Sequence, residues 1–458
     1  LSRIDTFVAP RPNQMLIRLM TAVNRVFMLK GIPLLRDLWP LNKVPPFRGL
    51  TNIRHIDFPA EDEARLGSVC GKGRATFITP NHPEFFTDWM IDKEVLARVS
   101  PLAASWATHG VVNGMGPLVQ KFWLANNLIA QIPGNAAAAR DHSEAWALKG
   151  HGVLLHPEGS VGWHGNYVAP LLPGAVEMAR EALEQGRVTD PGFEAWVAPI
   201  VWKLVFLGDV EKPLMAECAY VEKRLKLADG AERPVAERVY AIYLALLARD
   251  EERLGIVANS GAGYAVRQRA VVAELEKQLA TVLDADAAKE GPDELLRLAR
   301  RRLRDKGAPR TEATKALKLL AESLARVRRV GEFAFRGETV TQEELAEHLK
   351  RIRNDYCAGS LRDTLNRFLP QPAGSRRAHI RVPEPLSLRR FTGSVDEALE
   401  LLRARMQAAL DAINADLERK GAFRRYANPF HHAQIGKEGS AGVDGFAMPG
   451  GVDKVGSD

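Results

Sequence analysis

Asn81-His82, Asp88 and the run Glu158-Gly159-Ser160 are the residues of this chain whose types and spacing suit chemistry. An imidazole beside a carboxylate makes a general base: the acid holds one tautomer and stabilises the imidazolium that forms. Such a pair can take the proton from a hydroxyl as that hydroxyl attacks a carbonyl. The same reaction needs donors for the developing oxyanion, and Gly159 permits close backbone approach. Five residues separate His82 from Asp88. Asp88 reaches His82 if the Pro83-Glu84 turn absorbs one of them; otherwise Glu84 is the acid at hand.

These residues need elements to hold them. Ala75–Thr79 reads as a strand that ends in Pro80-Asn81-His82, and Val153–His156 as a second that ends in Pro157-Glu158-Gly159. Sites in α/β proteins lie beyond the carboxyl ends of strands. Helix is expected over Trp89–Val99, Val111–Leu124 and Ala136–Leu148, and strand over Pro101–Trp106, Leu128–Pro133 and Val197–Trp202. The last is apolar on both faces, as a central strand should be. This alternation predicts an α/β fold, a central mixed sheet flanked by helices. From Met215 to Pro370 the pattern becomes helix after helix, with breaks at Gly261-Ala262-Gly263, Gly291-Pro292 and Gly307-Ala308-Pro309. Ala378–Leu386 then reads as a strand and Val395–Leu417 as a helix.

Together the two motifs resemble the signatures of the glycerolipid acyltransferase family (lysophosphatidate or 1-acylglycerol-3-phosphate acyltransferase-like), Asn-His-x4-Asp and Phe-Pro-Glu-Gly-Thr. Pro46–Ile53 resembles the short strand and Gly-Leu turn before the family's catalytic motif. Val197–Trp202, with its internal Pro199, resembles the family's fourth block, and the strand ending in Pro383-Glu384-Pro385 its last strand. The resemblance implies His82 as base and Asp88 as its partner. It places Asn81, Glu158, Gly159 and Ser160 at the substrate, and Arg140 on a phosphate of acceptor or donor. It implies transfer of a fatty acyl group from acyl-CoA or acyl carrier protein to a lysolipid hydroxyl, with no cofactor beyond that co-substrate. A catalytically inactive lipid-binding relative is the alternative. Two departures stand out: five residues in place of four between His82 and Asp88, and Val161-Gly162-Trp163 where the family often has Arg-Ser. The implied division is an amphipathic segment 1–45, an acyltransferase domain over 46–212 and 376–422, an all-helical insertion 213–375 and a mobile tail 423–458.

Composition, 46% hydrophobic and 26% charged, is that of a packed globular protein. The net charge of +7 suits an acidic carrier protein, a phosphorylated substrate or an anionic membrane surface. No nucleic-acid-binding motif appears. Three scattered cysteines indicate a reducing compartment and no disulfide framework. His151, His156, His164 and the pair His431-His432 lack the spacing of a zinc site, so no metal is expected. No apolar run approaches the roughly 18 residues of a membrane span. Met15–Leu29 is an amphipathic helix, with Leu16, Leu19, Met20, Val23, Val26 and Phe27 opposite Arg18, Thr21 and Arg25. Such a stripe packs on a core or lies in a bilayer interface. The expected location is cytoplasmic, peripheral at the inner face of the membrane.

Overall fold

The computed structural model describes residues 6–132, 135–162, 164–257, 259, 261–304, 311–331, 334–335, 337–366 and 373–431. The break foreseen at residues 307–309, His432 and the tail from Gly436 lie outside these residues. Two units are present: Leu1–Val210 with Gly359–Phe423, and Glu211–Ala358 with Arg424–Asp458.

Ten strands occur among the described residues: β1 (Ile53–Asp57), β2 (Arg74–Pro80), β3 (Ala104–Thr108), β4 (Leu128–Gln131), β5 (Gly152–Leu154), β6 (Glu194–Phe206), β7 (Thr339–Thr341), β8 (Arg376–Arg381), β9 (Leu386–Ser387) and β10 (Arg425–Ala427). In the first unit eight of them form one sheet in the order β1-β8-β6-β2-β5-β3-β4, with β9 also on β6. β2 to β6 run parallel to their neighbours among themselves. β8 and β9 are antiparallel to β6, and β1 is parallel to β8. The result is a mixed, mostly parallel sheet flanked by helices.

β2 is buried at every position from Ala75 onward, so its β-branched and aromatic residues serve two cores. Successive side chains point to opposite faces. Ala75 and Phe77 join Val153, Val176, Met178 and Val197 on one side. Ile78 joins Met90, Ile91, Leu154, Ile200 and Trp202 on the other. Truncating Phe77 to Ala would cost about 3–5 kcal/mol, which indicates how firmly the strand leading into His82 is seated.

Several elements differ from the sequence expectation, each for a physical reason. β6 extends well past Trp202 because Lys203 does not stop it: its buried ammonium reaches Asn166 Oδ1 and lies 5.3 Å from the Phe423 ring. The strand sought in Pro46–Ile53 begins only at Ile53, and Pro45–Arg48 is a helical turn with proline in its first turn. Pro59–Lys72 contains the helix Ala60–Val69, with Glu61, Asp62 and Glu63 at its amino end. Gly116, at φ 88°, splits the expected helix over Val111–Leu124 into His109–Asn113 and Pro117–Ala125. The N-terminal helix Gln14–Val23 continues as a π-helix, Asn24–Lys30, whose wider turn rotates the buried face. Ile17, Asn24 and Leu29 are buried, while Leu19 and Phe27 from the expected packing stripe are 54% and 42% exposed.

The second unit contains the foreseen helices, among them Val235–Leu254, Tyr264–Leu283, Glu312–Arg328 and Gln342–Tyr356. It is not all-helical, since β10 pairs antiparallel with β7. Nor is residue 423 the start of a wholly mobile tail: Phe430 is buried, its ring centroid 4.8–5.8 Å from those of Tyr240, Tyr243, Tyr264, Phe335 and His348. The described residues of 359–375, assigned to the insertion from sequence, group with the first unit.

Candidate active site

β2 ends in Pro80, which has no N–H to donate. Asn81 carries the pairing with β6 one step further. Its N–H donates to Ile200 O at 3.0 Å, its Nδ2 to Trp202 O at 3.1 Å, and its Oδ1 accepts from Trp202 N–H at 2.9 Å. Asn81 was a candidate substrate ligand; the structure gives both its amide groups to the backbone of β6, where they fix the direction in which His82 leaves the strand.

His82 Nδ1 lies 2.6 Å from Asp88 Oδ2. The extra residue is taken up before the helix Thr87–Val99, by Phe86 in the left-handed region at φ 70°. Asp88 is therefore the second residue of that helix, where the aligned N–H groups favour an anion. Its Oδ1 accepts from Trp89 N–H at 2.5 Å. Distance brings His82 and Asp88 together while their alignment falls short of a straight hydrogen bond, a slack often seen before substrate tightens a site. Glu84, the other acid within reach, is engaged elsewhere: Oε2 accepts from Arg376 Nη1 at 2.5 Å and Oε1 from Thr87 Oγ1 at 3.0 Å.

β5 runs beside β2, and Leu155 N–H bonds Ile78 O at 3.0 Å. This adjacency sets the His156 ring on that of His82, with centroids 4.0 Å apart and planes 27° from parallel. His156 Nε2 is 3.2 Å from Asp92 Oδ2 and 3.9 Å from Asp88 Oδ2. Two histidines and two aspartates thus form a single cluster. Burial opposes charge on His156, but Asp92 foremost, then Asp88 and Glu158, raise its pKa to about 9. Burial, followed by the neighbouring His156 charge, lowers that of His82 against the pull of Asp88. Asp88 stays ionised below the usual range, since His82 and His156 outweigh its burial, whereas burial lifts Asp92 to about 6. At neutral pH His82 is the neutral, basic imidazole of the pair and His156 the cation. With Nδ1 facing Asp88, Nε2 is the nitrogen left for a substrate.

Glu158 ties the two motifs together. Oε1 accepts from His82 N–H at 2.7 Å and Oε2 from Ala169 N–H at 3.0 Å. Burial raises its pKa to about 7 against those two bonds. Gly162 N–H returns to His82 O at 3.0 Å, closing the loop after β5 onto the turn after β2. Gly159 has φ +69°, and a Cβ there would fall 2.4 Å from Leu172 Cδ1. Ser160, next on the same turn, is exposed.

Arg140 is held by acids. From the helix Ala137–Ala147 it bonds Glu177 and Glu181 at 2.8 Å each, so two carboxylates already balance a guanidinium expected to hold phosphate. His151 precedes β5 and stacks on Trp146 at 4.8 Å, at the opposite end of the strand from His156. His164 is buried against Tyr167. His431 Nδ1 lies 3.1 Å from Phe335 O in the second unit.

Where no metal was expected, His82, Asp88 and His156 bring ligand atoms within 4.8 Å of one another. The Asp88 oxygen nearest His82 Nδ1 is the one nearest His156 as well, so a cation at this point would displace the His82–Asp88 pair. Sequence reasoning missed Asp92 and the His82–His156 stack. The signal for Asp92 was present: it lies four residues after Asp88, hence on the same helix face.

Among the described residues no helix is long and apolar enough to cross a membrane. No protein-family model matches the chain, and no curated protein does.

Proposed function

We propose that the protein is an O-acyltransferase of the glycerolipid acyltransferase type, moving a fatty acyl group from acyl-CoA or acyl carrier protein to a hydroxyl of a lysophosphatidate-like acceptor. The observation that carries this reading is the 2.6 Å approach of His82 to Asp88 across five intervening residues, beside the Glu158 turn. His82 Nε2 takes the acceptor's hydroxyl proton as that oxygen attacks the thioester carbonyl. The tetrahedral intermediate collapses with loss of the thiolate, which receives the proton from the imidazolium; an ester and a free thiol result. Asp88 orients His82 and stabilises the imidazolium. Glu158 holds the His82 backbone, and Ser160 offers a hydroxyl donor at the substrate side of the turn. No cofactor enters, because the thioester is already activated.

The same reading places the protein on an anionic membrane surface through its N-terminal segment. Met15, Leu19, Phe27, Leu34, Leu38 and Trp39 are exposed, and the first fifty residues carry eight Lys or Arg against two Asp. Apolar side chains among cations suit an interface of acyl chains and acidic headgroups.

The test is thiol release from long-chain acyl-CoA and acyl carrier protein in the presence of lysophospholipids, glycerol 3-phosphate and non-phosphorylated acceptors, with products analysed. Acceptor-dependent release with an ester product is expected. Free fatty acid as the sole product would mean thioester hydrolysis, and no release with any donor would favour a non-catalytic lipid-binding protein.

A further inference from the structure

Lys93 lies on the helix Thr87–Val99, one turn after Trp89, and its Nζ sits 5.5 Å from the centre of the Trp89 ring. Among the described residues no carboxylate and no hydrogen-bond acceptor meets that amine. The acids beside it in sequence are engaged elsewhere: Asp92 faces His156 at 3.2 Å, and Glu94 pairs with Arg25 at 2.9 Å and Arg98 at 3.3 Å. Lys277, Lys289, Lys315, Lys318 and Lys420, by contrast, each have a carboxylate 2.6–3.8 Å away.

Lys93 is half-buried, so its amine is partly stripped of water and can still be reached. It lines a chamber of about 20 Å³ walled by Ile17 and Thr21 of the helix Gln14–Val23, which is room for one water-sized group. Thr21, Ser105 and Asn126 are its other polar aliphatic side chains, and no residue of the lining besides Lys93 titrates. Ile17 and Pro101 also line an adjoining cleft of about 360 Å³, which holds Arg18 and no carboxylate. The cleft offers an approach to a large anionic molecule, and the chamber a place for a small group that it delivers. Burial alone lowers the Lys93 pKa to about 8, and a lysine desolvated in this way is an activated nucleophile.

We propose that Lys93 is a modification site, acetylated directly by a short acyl thioester of the acetyl-CoA kind. The neutral amine attacks the thioester carbonyl carbon and forms the C–N bond; the C–S bond breaks, and its electron pair leaves with the thiolate. The proton released from nitrogen passes through water to the thiolate, so an amide and a free thiol result. The amide is neutral, which ends the cost of holding an unpartnered cation away from water. Its methyl group is of the size that the chamber admits. The proposal does not rest on the acyltransferase reading, since the reaction uses neither His82 nor Asp88.

The test incubates the full chain with acetyl-CoA near neutral pH, natively and in denaturant, and follows each lysine by peptide mass spectrometry. Lys93 should be acetylated at least about tenfold faster than Lys277, Lys315 and Lys318, the advantage of a desolvated amine, and should lose that lead in denaturant. Raising the pH well beyond 8 should speed the exposed lysines while the Lys93 rate levels off. His82→Ala should be labelled at Lys93 as the wild type is. The melting temperature should rise with the extent of acetylation, and Lys93→Gln, neutral at the same place, should melt at or above the wild type. Labelling of Lys93 no faster than that of the exposed lysines, or a lead that survives denaturant, would overturn the proposal. So would loss of labelling in His82→Ala, which would make the modification a product of the active site. A Lys93→Gln protein that melts well below the wild type would contradict the uncompensated charge on which the inference stands.

Discussion

His82 is set apart from an ordinary surface histidine by what presses on it from both sides. Asp88 holds Nδ1 at 2.6 Å, and the His156 ring covers one face at 4.0 Å. Burial foremost, and then the charge on His156, penalise a charged His82, so the base stays neutral below the usual histidine range. The rate should therefore hold as pH falls through that range and decline only on the acid side of it. Replacing His156 by Asn removes the repelling charge, which moves this acid limb to higher pH; a limb that stayed or moved lower would show that His156 does not tune the base. The cluster also separates two chemistries. A cation and the His82–Asp88 pair compete for the same carboxylate oxygen, so exhaustive chelation should leave kcat/KM unchanged and added zinc should inhibit. Loss of activity on chelation, restored by metal, would make the cluster a metal centre.

At the scale of elements, the site is two strand ends clasped by their own loops. Asn81 locks the end of β2 to β6, and Glu158 locks the loop after β5 to the backbone of His82. The Glu158 turn requires Gly159 in the left-handed region, at φ +69°. Gly159→Ala should lower stability by about 1–2 kcal/mol through backbone strain alone, with Leu172 swinging aside, and lower kcat further by shifting Glu158. A melting curve and a rate for the same variant separate these effects. Much of this was legible beforehand. β2 and β5 announce themselves because parallel strands buried on both faces leave continuous apolar runs. β1 was not legible: it is a polar edge strand whose Arg54 and His55 break the alternation. The three-residue β7 and β10 were too short to show a period. The π-turn at Asn24–Lys30 was invisible because it changes the period itself. The partners of Arg140 were not legible because a position in sequence says nothing of the two glutamates on a later helix.

For the whole molecule, the basic surplus and the exposed apolar residues of the N-terminal segment belong to the unit that holds the site. Sedimentation with vesicles rich in phosphatidylserine should capture the wild type, weakly with neutral vesicles, and less with rising salt. Trp39→Glu, a change at a 75% exposed position, should reduce capture severalfold without altering the melting temperature; undiminished capture would remove this segment from the membrane contact. Turnover is the property in which all these parts meet. The most direct measurement is acceptor-dependent thiol release from acyl-CoA by the wild type beside His82→Ala and Asp88→Asn, with each variant's fold checked by its melting curve. Loss of about 10²–10⁴-fold in His82→Ala, together with a large loss in Asp88→Asn and an ester product in the wild type, is the predicted result. Full activity in Asp88→Asn, or wild-type release that survives His82→Ala, would contradict the claim that this pair is the catalytic base.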